Sequence, residues 1–400
     1  MTEFLTASIP GTGGSIKETL EDFLVEEIPL YLPCGEGEHL YVEVEKRGLT
    51  TFDLLQRLAR VLRIKEREIG YAGLKDARAT TRQTLSLPGI APEAVAALNI
   101  EGVRILSARR HRNKLRLGHL AGNRFRIRVR GVAAGALESA RATLEQLQRQ
   151  GVPNRFGEQR YGVLGNSHRI GGCLLRRDYA GAIAEIIGNP ARIDHPRWRQ
   201  GAEAFAAGDL EAALQALPGR LRDERALLHA LQAGQSAEAA VLAMPRKLLR
   251  LYLSAWQSAL FDRVVAERLQ QLGTLWPGDL AYKHDNGACF LVGDPAVEQP
   301  RADRFEISPS GPLFGHKLTP AQQRTGDLEA ALLAAEGLDL EDFRLGGGLS
   351  LEGERRPLRV PLQEALAEAQ GDDLLLSFSL PKGSYATCVL AEVIKAPTVA

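Results

Sequence analysis

Residues 123–130 read NRFRIRVR, and the strict alternation in this stretch decides the first element of the fold. Successive side chains of a β-strand point to opposite faces, so Phe125, Ile127 and Val129 share one face. The four arginines of the stretch share the other face. The pattern predicts a half-buried strand that packs an apolar face on a core and presents a basic face.

Strand-like and helix-like patterns occur in the sequence before and after this strand. Upstream, residues 40–44 alternate like a second strand, and residues 50–62 place leucines at helical spacing. Thr50 or Thr51 can cap that helix, with an aspartate in its first turn. Downstream, residues 137–150 return to helical spacing and end at a glycine. The first 150 residues therefore mix strands and helices.

The composition changes in the middle of the chain. Between about 171 and 272, alanine and leucine dominate and helical spacing recurs. The segment 279–294 then indicates two strands joined by a tight turn at Asn286-Gly287. Residues 373–380 indicate a buried strand, and a C-terminal helix follows. This order predicts an α+β protein in which a mostly helical segment interrupts a mixed domain.

The charge of the chain is distributed unevenly. Among 400 residues, 44% are hydrophobic and 25% are charged, and the formal net charge is only +1. Yet residues 102–131 contain ten lysines or arginines and no aspartate or glutamate. A solvated charged face is the ordinary explanation of a charge run. A single-sign run of this length favours instead a surface that binds a polyanion such as RNA or DNA.

Several classes of protein are disfavoured by the absence of their motifs. The four cysteines are far apart and the histidines lack metal-ligand spacing, so no zinc site or disulfide framework is predicted. The glycine-rich residues 11–15 lack the pattern of a phosphate loop, and no serine-hydrolase elbow occurs. No signal-peptide pattern or membrane-length apolar stretch is present, which predicts a cytoplasmic protein.

Residues 71–83 read YAGLKDARATTRQ and contain the strongest candidate for a catalytic group. Asp76 follows an apolar run from Ile69 to Leu74 that is unusual for a surface turn. A turn residue is the simplest interpretation on pattern alone. The nearby basic segment favours a second interpretation, a catalytic acid to which nucleic acid is delivered. If the segment is extended, Lys75 points away from Asp76.

Four separated pieces of the chain carry motifs that occur in this order in one enzyme family. They are Lys17 with EDF (21–23) and GEGEHLYVEV (35–44), AGLKDARATTRQ (72–83), KLRLGHLAGNRF (114–125) with GVPNRFGEQRYG (151–162), and LPKGSYATC (380–388). The second piece matches GxKDxxAxTxQ, and the third contains NxFGxQRxG. Together they resemble the TruD family of tRNA pseudouridine synthases.

The resemblance implies a fold and a domain layout. A pseudouridine-synthase catalytic domain, residues 1–154 and 308–400, would contain a mixed, largely antiparallel sheet. A mostly helical insertion domain, residues 155–307, would interrupt it.

The resemblance also implies an activity: a monomeric isomerase that converts uridine to pseudouridine at position 13 in the D-arm of tRNA. It implies no metal and no cofactor. Asp76 matches the family's nucleophile and Lys17 a basic residue beside it; we expect an ion pair, because an ammonium group favours the ionised carboxylate. The positions implied to contact the substrate are Phe23, Asn123, Phe125 and Tyr385, the last standing where the family often has phenylalanine. On pattern alone Phe125 is a core residue.

The basic run then predicts where the RNA backbone binds. We name this surface the RNA track; its members are Arg109, Arg110, Arg112, Lys114 and Arg116. Two other functions remain open. A non-catalytic RNA-binding protein or RNA chaperone would use Asp76 only as a turn residue, and an RNA methyltransferase would need a glycine-rich cofactor loop after a strand. A single cleft lined by Asp76, Lys17, Asn123 and Phe125 distinguishes the enzyme from the chaperone.

Overall fold

The computed structural model describes residues 3–395, and the chain divides into two compact units. The first unit lies within Met1–Val152 and Val360–Ala400, and the second unit is Pro153–Arg359. A first unit built from both ends of the chain is the arrangement expected for a domain that an insertion interrupts.

The elements of both units are numbered in chain order. The strands are β1 (Phe23–Pro29), β2 (His39–Arg47), β3 (Gly70–Tyr71), β4 (Thr80–Pro88), β5 (Val103–His111), β6 (Leu120–Val129), β7 (Val152–Pro153), β8 (Leu280–Lys283), β9 (Cys289–Leu291), β10 (Ile307–Leu313), β11 (Glu354–Pro357), β12 (Arg359–Val360), β13 (Gln363–Gln370) and β14 (Asp373–Pro381). The α-helices are α1 (Thr51–Leu62), α2 (Pro92–Ala96), α3 (Ala136–Gln150), α4 (Ser167–Leu175), α5 (Tyr179–Ile187), α6 (Pro196–Ala206), α7 (Leu210–Ala216), α8 (Arg222–Gln232), α9 (Ala237–Leu242), α10 (Arg246–Glu267), α11 (Pro295–Asp303), α12 (Gln323–Ala334) and α13 (Ala386–Ile394).

The first unit is built on a sheet that has eight strands within residues 3–395. The strand order along its main path is β13-β14-β6-β1-β4-β2-β5, and β3 pairs with β4. β1 and β4 are parallel, whereas β6 is antiparallel to β1 and β14, and β2 is antiparallel to β4 and β5. The expected α+β class with a mixed, largely antiparallel sheet is confirmed.

β6 is the strand that the alternation of residues 123–130 predicts. Phe125, Ile127 and Val129 are buried, at 7%, 0% and 0% exposure. The neighbouring strands β1 and β14 pair with β6 on its two sides, so their residues Val25 and Phe378 lie directly opposite Phe125. The apolar face of this strand is therefore part of the core of the unit.

α1 begins at the predicted threonine cap. Thr50 Oγ1 accepts a hydrogen bond from the backbone N–H of Asp53 at 3.0 Å, and the Asp53 carboxylate accepts one from the Thr50 N–H at 2.9 Å. This reciprocal box satisfies two N–H groups that the helix itself cannot. Leu54 and Leu58 are buried in one apolar cluster with residues of β2 and β4. The start of α1 is thereby held against the sheet.

Residues near the start of the chain contact α13 within the first unit. Glu392 of α13 accepts hydrogen bonds from the backbone N–H groups of Leu5 and Thr6, at 2.9 and 3.0 Å. Ser15 exchanges backbone hydrogen bonds with Arg130, the residue after β6, at 2.9 and 2.8 Å. The N-terminal segment is thus fixed at the end of β6, just before Lys17.

The second unit combines helices with a small sheet. Its helices α4 and α10 approach closely because Gly171 of α4 faces α10; a Cβ there would lie 2.2 Å from the Tyr252 carbonyl oxygen. The predicted pair of strands within 279–294 is present as β8 and β9, which are antiparallel. Within residues 3–395, no helix is long and apolar enough to cross a membrane.

The second compact unit continues to Arg359, whereas the resemblance implies an insertion domain that ends at residue 307. The physical reason is strand pairing: β10 is antiparallel to both β8 and β11. Residues 308–357 therefore complete a sheet that begins at Leu280 and belong to the second unit.

Candidate active site

Asp76 lies in the loop between β3 and β4, and hydrogen bonds from outside this loop hold its backbone. The N–H of Lys75 donates to Oγ1 of Thr51 at 2.9 Å, and that hydroxyl donates to Oε1 of Gln83 at 3.2 Å. Thr51 is the first residue of α1, so the capped start of the helix anchors the loop. Gln83, which ends the motif, acts on the loop through Thr51.

A buried lysine holds the loop from another side. Lys46 of β2 is 0% exposed, and its Nζ donates to the carbonyl oxygens of Leu49 at 2.5 Å and of Asp76 at 2.9 Å. Burial lowers the pKa of Lys46 to about 8, while the nearby Asp76 carboxylate opposes that change. The motifs did not single out Lys46. The alternation of β2 places it on the same face as Val42 and Val44, and this position could have indicated a buried lysine.

The Asp76 carboxylate is partly exposed to solvent and forms an ion pair with Lys17. Asp76 Oδ2 lies 3.2 Å from Lys17 Nζ, and the two side chains are 46% and 20% exposed. The same ammonium lies 4.5 Å from the centre of the Phe23 ring, close enough for a cation–π contact. Lys17 has a left-handed φ of 61°, which costs a non-glycine residue about 1–2 kcal/mol. The structure thus brings together the two charges expected to pair.

Lys75 points away from Asp76 into a buried polar cluster. Its Nζ donates to Oδ1 of Asn123 at 2.6 Å and lies 3.1 Å from Oε2 of Glu27. Burial raises the pKa of Glu27, and the Lys75 ammonium opposes this. Because an ammonium group only donates, it fixes the Asn123 amide with its oxygen toward Lys75. Among residues 3–395 the amide NH₂ of Asn123 meets no acceptor, so it can donate to a ligand.

Aromatic rings pack beside these polar groups. Phe23 and Phe125 make an edge contact with their centroids 6.4 Å apart, and Phe125 lies 5.4 Å from Phe378. Phe23 and Phe125 are only 3% and 7% exposed, so their rings are mainly core. Phe378, directly opposite Phe125 on β14, was not singled out from the sequence.

Tyr385 precedes α13 and is 38% exposed. It follows the segment in which Leu380 pairs with Asn123 and the N–H of Lys382 donates to the Ala121 carbonyl at 3.0 Å. These contacts place the start of the LPKGSY segment beside the beginning of β6, the end of the sheet where Asn123 lies.

The members of the RNA track differ in whether other groups of the protein already bind their side chains. Three members are held by other parts of the first unit: Arg110 by the Glu38 carbonyl at 3.5 Å, Arg112 by Glu36 Oε1 at 3.1 Å from its Nε, and Lys114 by the Arg67 carbonyl at 2.8 Å. Arg109 and Arg116 are exposed, and neither guanidinium has an acceptor among the residues that the structure describes. These two groups are the ones most available to phosphates.

Three of the four arginines in residues 124–130, on β6 and directly after it, form ion pairs within the first unit, whereas Arg126 is exposed. Their partners are Glu364 for Arg124 at 3.0 Å, Asp373 for Arg128 at 3.7 Å, and Asp22 for Arg130 at 2.7 Å. All three carboxylates come from sequence positions remote from the basic run. The basic run is therefore not uniformly a polyanion surface, because ion pairs within the unit neutralise part of its charge.

Comparisons with known proteins identify the family of the chain. A family model described as tRNA pseudouridine synthase D (TruD) matches residues 1–393. A tRNA pseudouridine synthase D from Syntrophotalea carbinolica is 63% identical over 395 residues, which cover 99% of each chain. Another from Geobacter metallireducens is 59% identical over 393 residues, covering 98% of this chain and 97% of the relative.

A solved structure is similar over the whole chain. It is a crystal structure of a Methanosarcina mazei protein whose description names tRNA pseudouridine synthase D. It matches with a TM-score of 0.86 at 26% identity, covering 100% of this chain and 97% of the other. The motifs, the groups around Asp76 and these full-length similarities agree, and the chain therefore belongs to the TruD family of tRNA pseudouridine synthases.

Proposed function

We propose that this protein isomerises uridine 13 in the D-arm of tRNA to pseudouridine, with Asp76 as the nucleophile. In the reaction the N1–C1′ bond breaks, a C5–C1′ bond forms, the proton on C5 is lost and N1 gains one, so the base is only rearranged. A positioned carboxylate can promote this by attacking C1′ or C6, or by taking a ribose proton first.

The observation that supports this proposal most is the way in which Asp76 is held. Its carboxylate is accessible, while Lys46 and Thr51 fix the backbone of its loop from buried positions. A nucleophile presented in this way loses little conformational freedom on meeting its substrate. Lys17 places a positive charge 3.2 Å from that carboxylate and 4.5 Å from the centre of the Phe23 ring.

The neighbouring residues suit a uracil base that is flipped out of the stacked RNA arm. The free NH₂ of Asn123 can donate to a uracil carbonyl, and the edges of Phe23 and Phe125 form an apolar wall. Tyr385 is the exposed aromatic group that a substrate can contact at the LPKGSY segment. Flipping a base out of a folded arm costs a few kcal/mol, which such contacts offset.

Replacing Asp76 with asparagine tests the proposal. Asp76→Asn keeps the size of the side chain but removes the nucleophile, so we expect turnover to fall at least about a thousand-fold with tRNA binding retained. Pseudouridine is mapped on cognate tRNA transcripts by carbodiimide modification and primer extension, and binding is measured separately.

Asp372→Asn, at an exposed turn of the first unit, is the matched control and should stay fully active. Appreciable pseudouridine formation by Asp76→Asn would refute the assignment. If the wild type binds tRNA but forms no pseudouridine, a non-catalytic RNA-binding role or RNA chaperone is the better description.

A further inference from the structure

A cavity at the end of β5 is lined by residues to which no role in the chemistry has been given. Its volume is about 550 Å³, within the range of about 300–1,000 Å³ typical of small-ligand sites. Its lining includes Tyr31, Leu32, His111, Lys114, Arg116 and His119. Three of these belong to the KLRLGHL part (114–120) of a matched motif, which the site around Asp76 does not explain.

Aromatic rings form one wall of this cavity and hold each other in place. The Tyr31 ring lies nearly parallel to the His111 ring, with centroids 5.2 Å apart and 21° between the planes. His111 also contacts Tyr41 at 4.5 Å, and the Tyr31 hydroxyl lies 2.8 Å from Nδ1 of His119. The wall is therefore an ordered π surface before any ligand arrives.

The loop that contains Cys34 holds the His111 ring in place. The backbone N–H of Cys34 donates to Nδ1 of His111 at 3.3 Å, which leaves Nε2 to carry the proton. Burial, assisted by the charge of Arg112, lowers the pKa of His111. Gly37 of the same loop has φ 115°, and a Cβ there would lie 2.6 Å from the Cα of Arg112. The GEGEH motif is thus explained by close packing on this strand end.

The rest of the cavity offers cations and an exposed apolar side chain. Lys114 and Arg116 supply positive charge, and the Arg116 guanidinium meets no acceptor within the described part of the chain. Leu32, which is 77% exposed, adds an apolar side chain to the lining of the cavity. A ligand that fits must combine a flat apolar face with an anionic group.

We propose that this cavity binds one unpaired nucleotide of the tRNA substrate, with its base against Tyr31 and Leu32 and its phosphate at Arg116. The proposal rests on the proposed function, since it requires RNA as substrate. A nucleotide within a duplex has its base faces covered by its neighbours, so only an unstacked one can use this wall. The N–H of Gly118 donates to the Ala72 carbonyl at 2.8 Å, which ties the segment to the loop of Asp76. An anchored nucleotide would therefore set the register of the RNA.

The test measures the affinity of unmodified tRNA transcripts by fluorescence anisotropy. Loss of one base-stacking contact weakens binding by roughly ten-fold or more, so we expect that loss for Tyr31→Leu and also for the double variant Leu32→Ser/Arg116→Gln. The double variant changes only exposed side chains, so it serves if Tyr31→Leu does not fold. Tyr31→Phe keeps the ring and should bind nearly normally, and Arg149→Gln, an exposed arginine on α3, controls for lost charge.

A second arm identifies the nucleotide. Each unpaired nucleotide of the tRNA is made abasic in turn, and we expect one position whose loss weakens binding to the wild type but not to the variants. If every abasic tRNA is weakened equally for wild type and variants, or the variants bind normally, the pocket proposal is wrong. If instead the wild type forms no pseudouridine at any tRNA concentration, the proposed function fails.

Discussion

Replacing Lys46 with methionine separates what this buried lysine does for stability from what it does for activity. In the folded protein its pKa falls from 10.5 to about 8. That difference corresponds to roughly 3 kcal/mol of desolvation cost, and we expect about 2 kcal/mol to be measured, because relaxation of the site reduces it. The hydrogen bonds to the Leu49 and Asp76 carbonyls offset much of this cost.

The sign of the pH dependence follows from the lowered pKa of Lys46. Below pH 8 the lysine is protonated in both the folded and the unfolded chain, so the full desolvation cost of its charge lowers the free energy of unfolding. Between pH 8 and 10.5 the folded chain releases the proton first, and its free energy of unfolding rises. The wild type should therefore gain about 2 kcal/mol over Lys46→Met as the pH increases from 7.5 to 10.5.

Urea unfolding of both proteins at several pH values measures this difference, because contributions from other groups cancel. Lys65→Met, at an exposed lysine of the same unit, is the control and should show no such trend. At pH 7.5 Lys46→Met should be nearly as stable as the wild type yet less active, since the carbonyl of Asp76 loses its donor. A stability difference that is constant from pH 7.5 to 10.5 would refute the reasoning, and full activity would refute the anchoring role.

Three further predictions concern other groups. Lys17→Met should lower kcat at least about ten-fold while Lys17→Arg retains more activity, because a cation beside the carboxylate is what matters; equal activity of the two variants would contradict this. Desolvation of the partly buried Asp262 carboxyl raises its pKa to about 6, so the wild type should gain stability over Asp262→Asn as the pH falls from 7 to 4.5; denaturant unfolding of both proteins at several pH values measures that change. Arg109→Gln/Arg110→Gln should reduce the slope of log Kd against log salt by about 1.5; an unchanged slope would exclude these residues from the RNA track.

Local elements were predictable because their signals lie in neighbouring residues. The alternation around Phe125 and the box formed by Thr50 and Asp53 specify β6 and the start of α1 wherever those segments lie in the fold. Asp76 and Lys17 became candidates through the motifs that contain them, and the structure places their charges 3.2 Å apart. Their roles in catalysis stay predictions.

Other features depended on contacts that no local pattern contains. Lys46 supports the Asp76 loop only because β2 and that loop, 30 residues apart, meet in the folded unit. From the sequence Arg130 appeared available to a polyanion, but in the structure it forms an ion pair with Asp22. The extent of the second unit, to Arg359, depends on the pairing of β10 with β8 and β11, which cannot be seen from the residues of β10 alone.

The sequence by itself determined the α+β class, the order of the elements, the family and the candidate nucleophile. Periodicity, capping and motif spacing act over a few residues and need no partner from elsewhere. Only the tertiary structure decided which charges are paired, that the buried Lys46 binds the Asp76 carbonyl, and which aromatic rings line the cavity at the end of β5. Those properties depend on desolvation and on distances between residues far apart in the chain, and folding alone creates them.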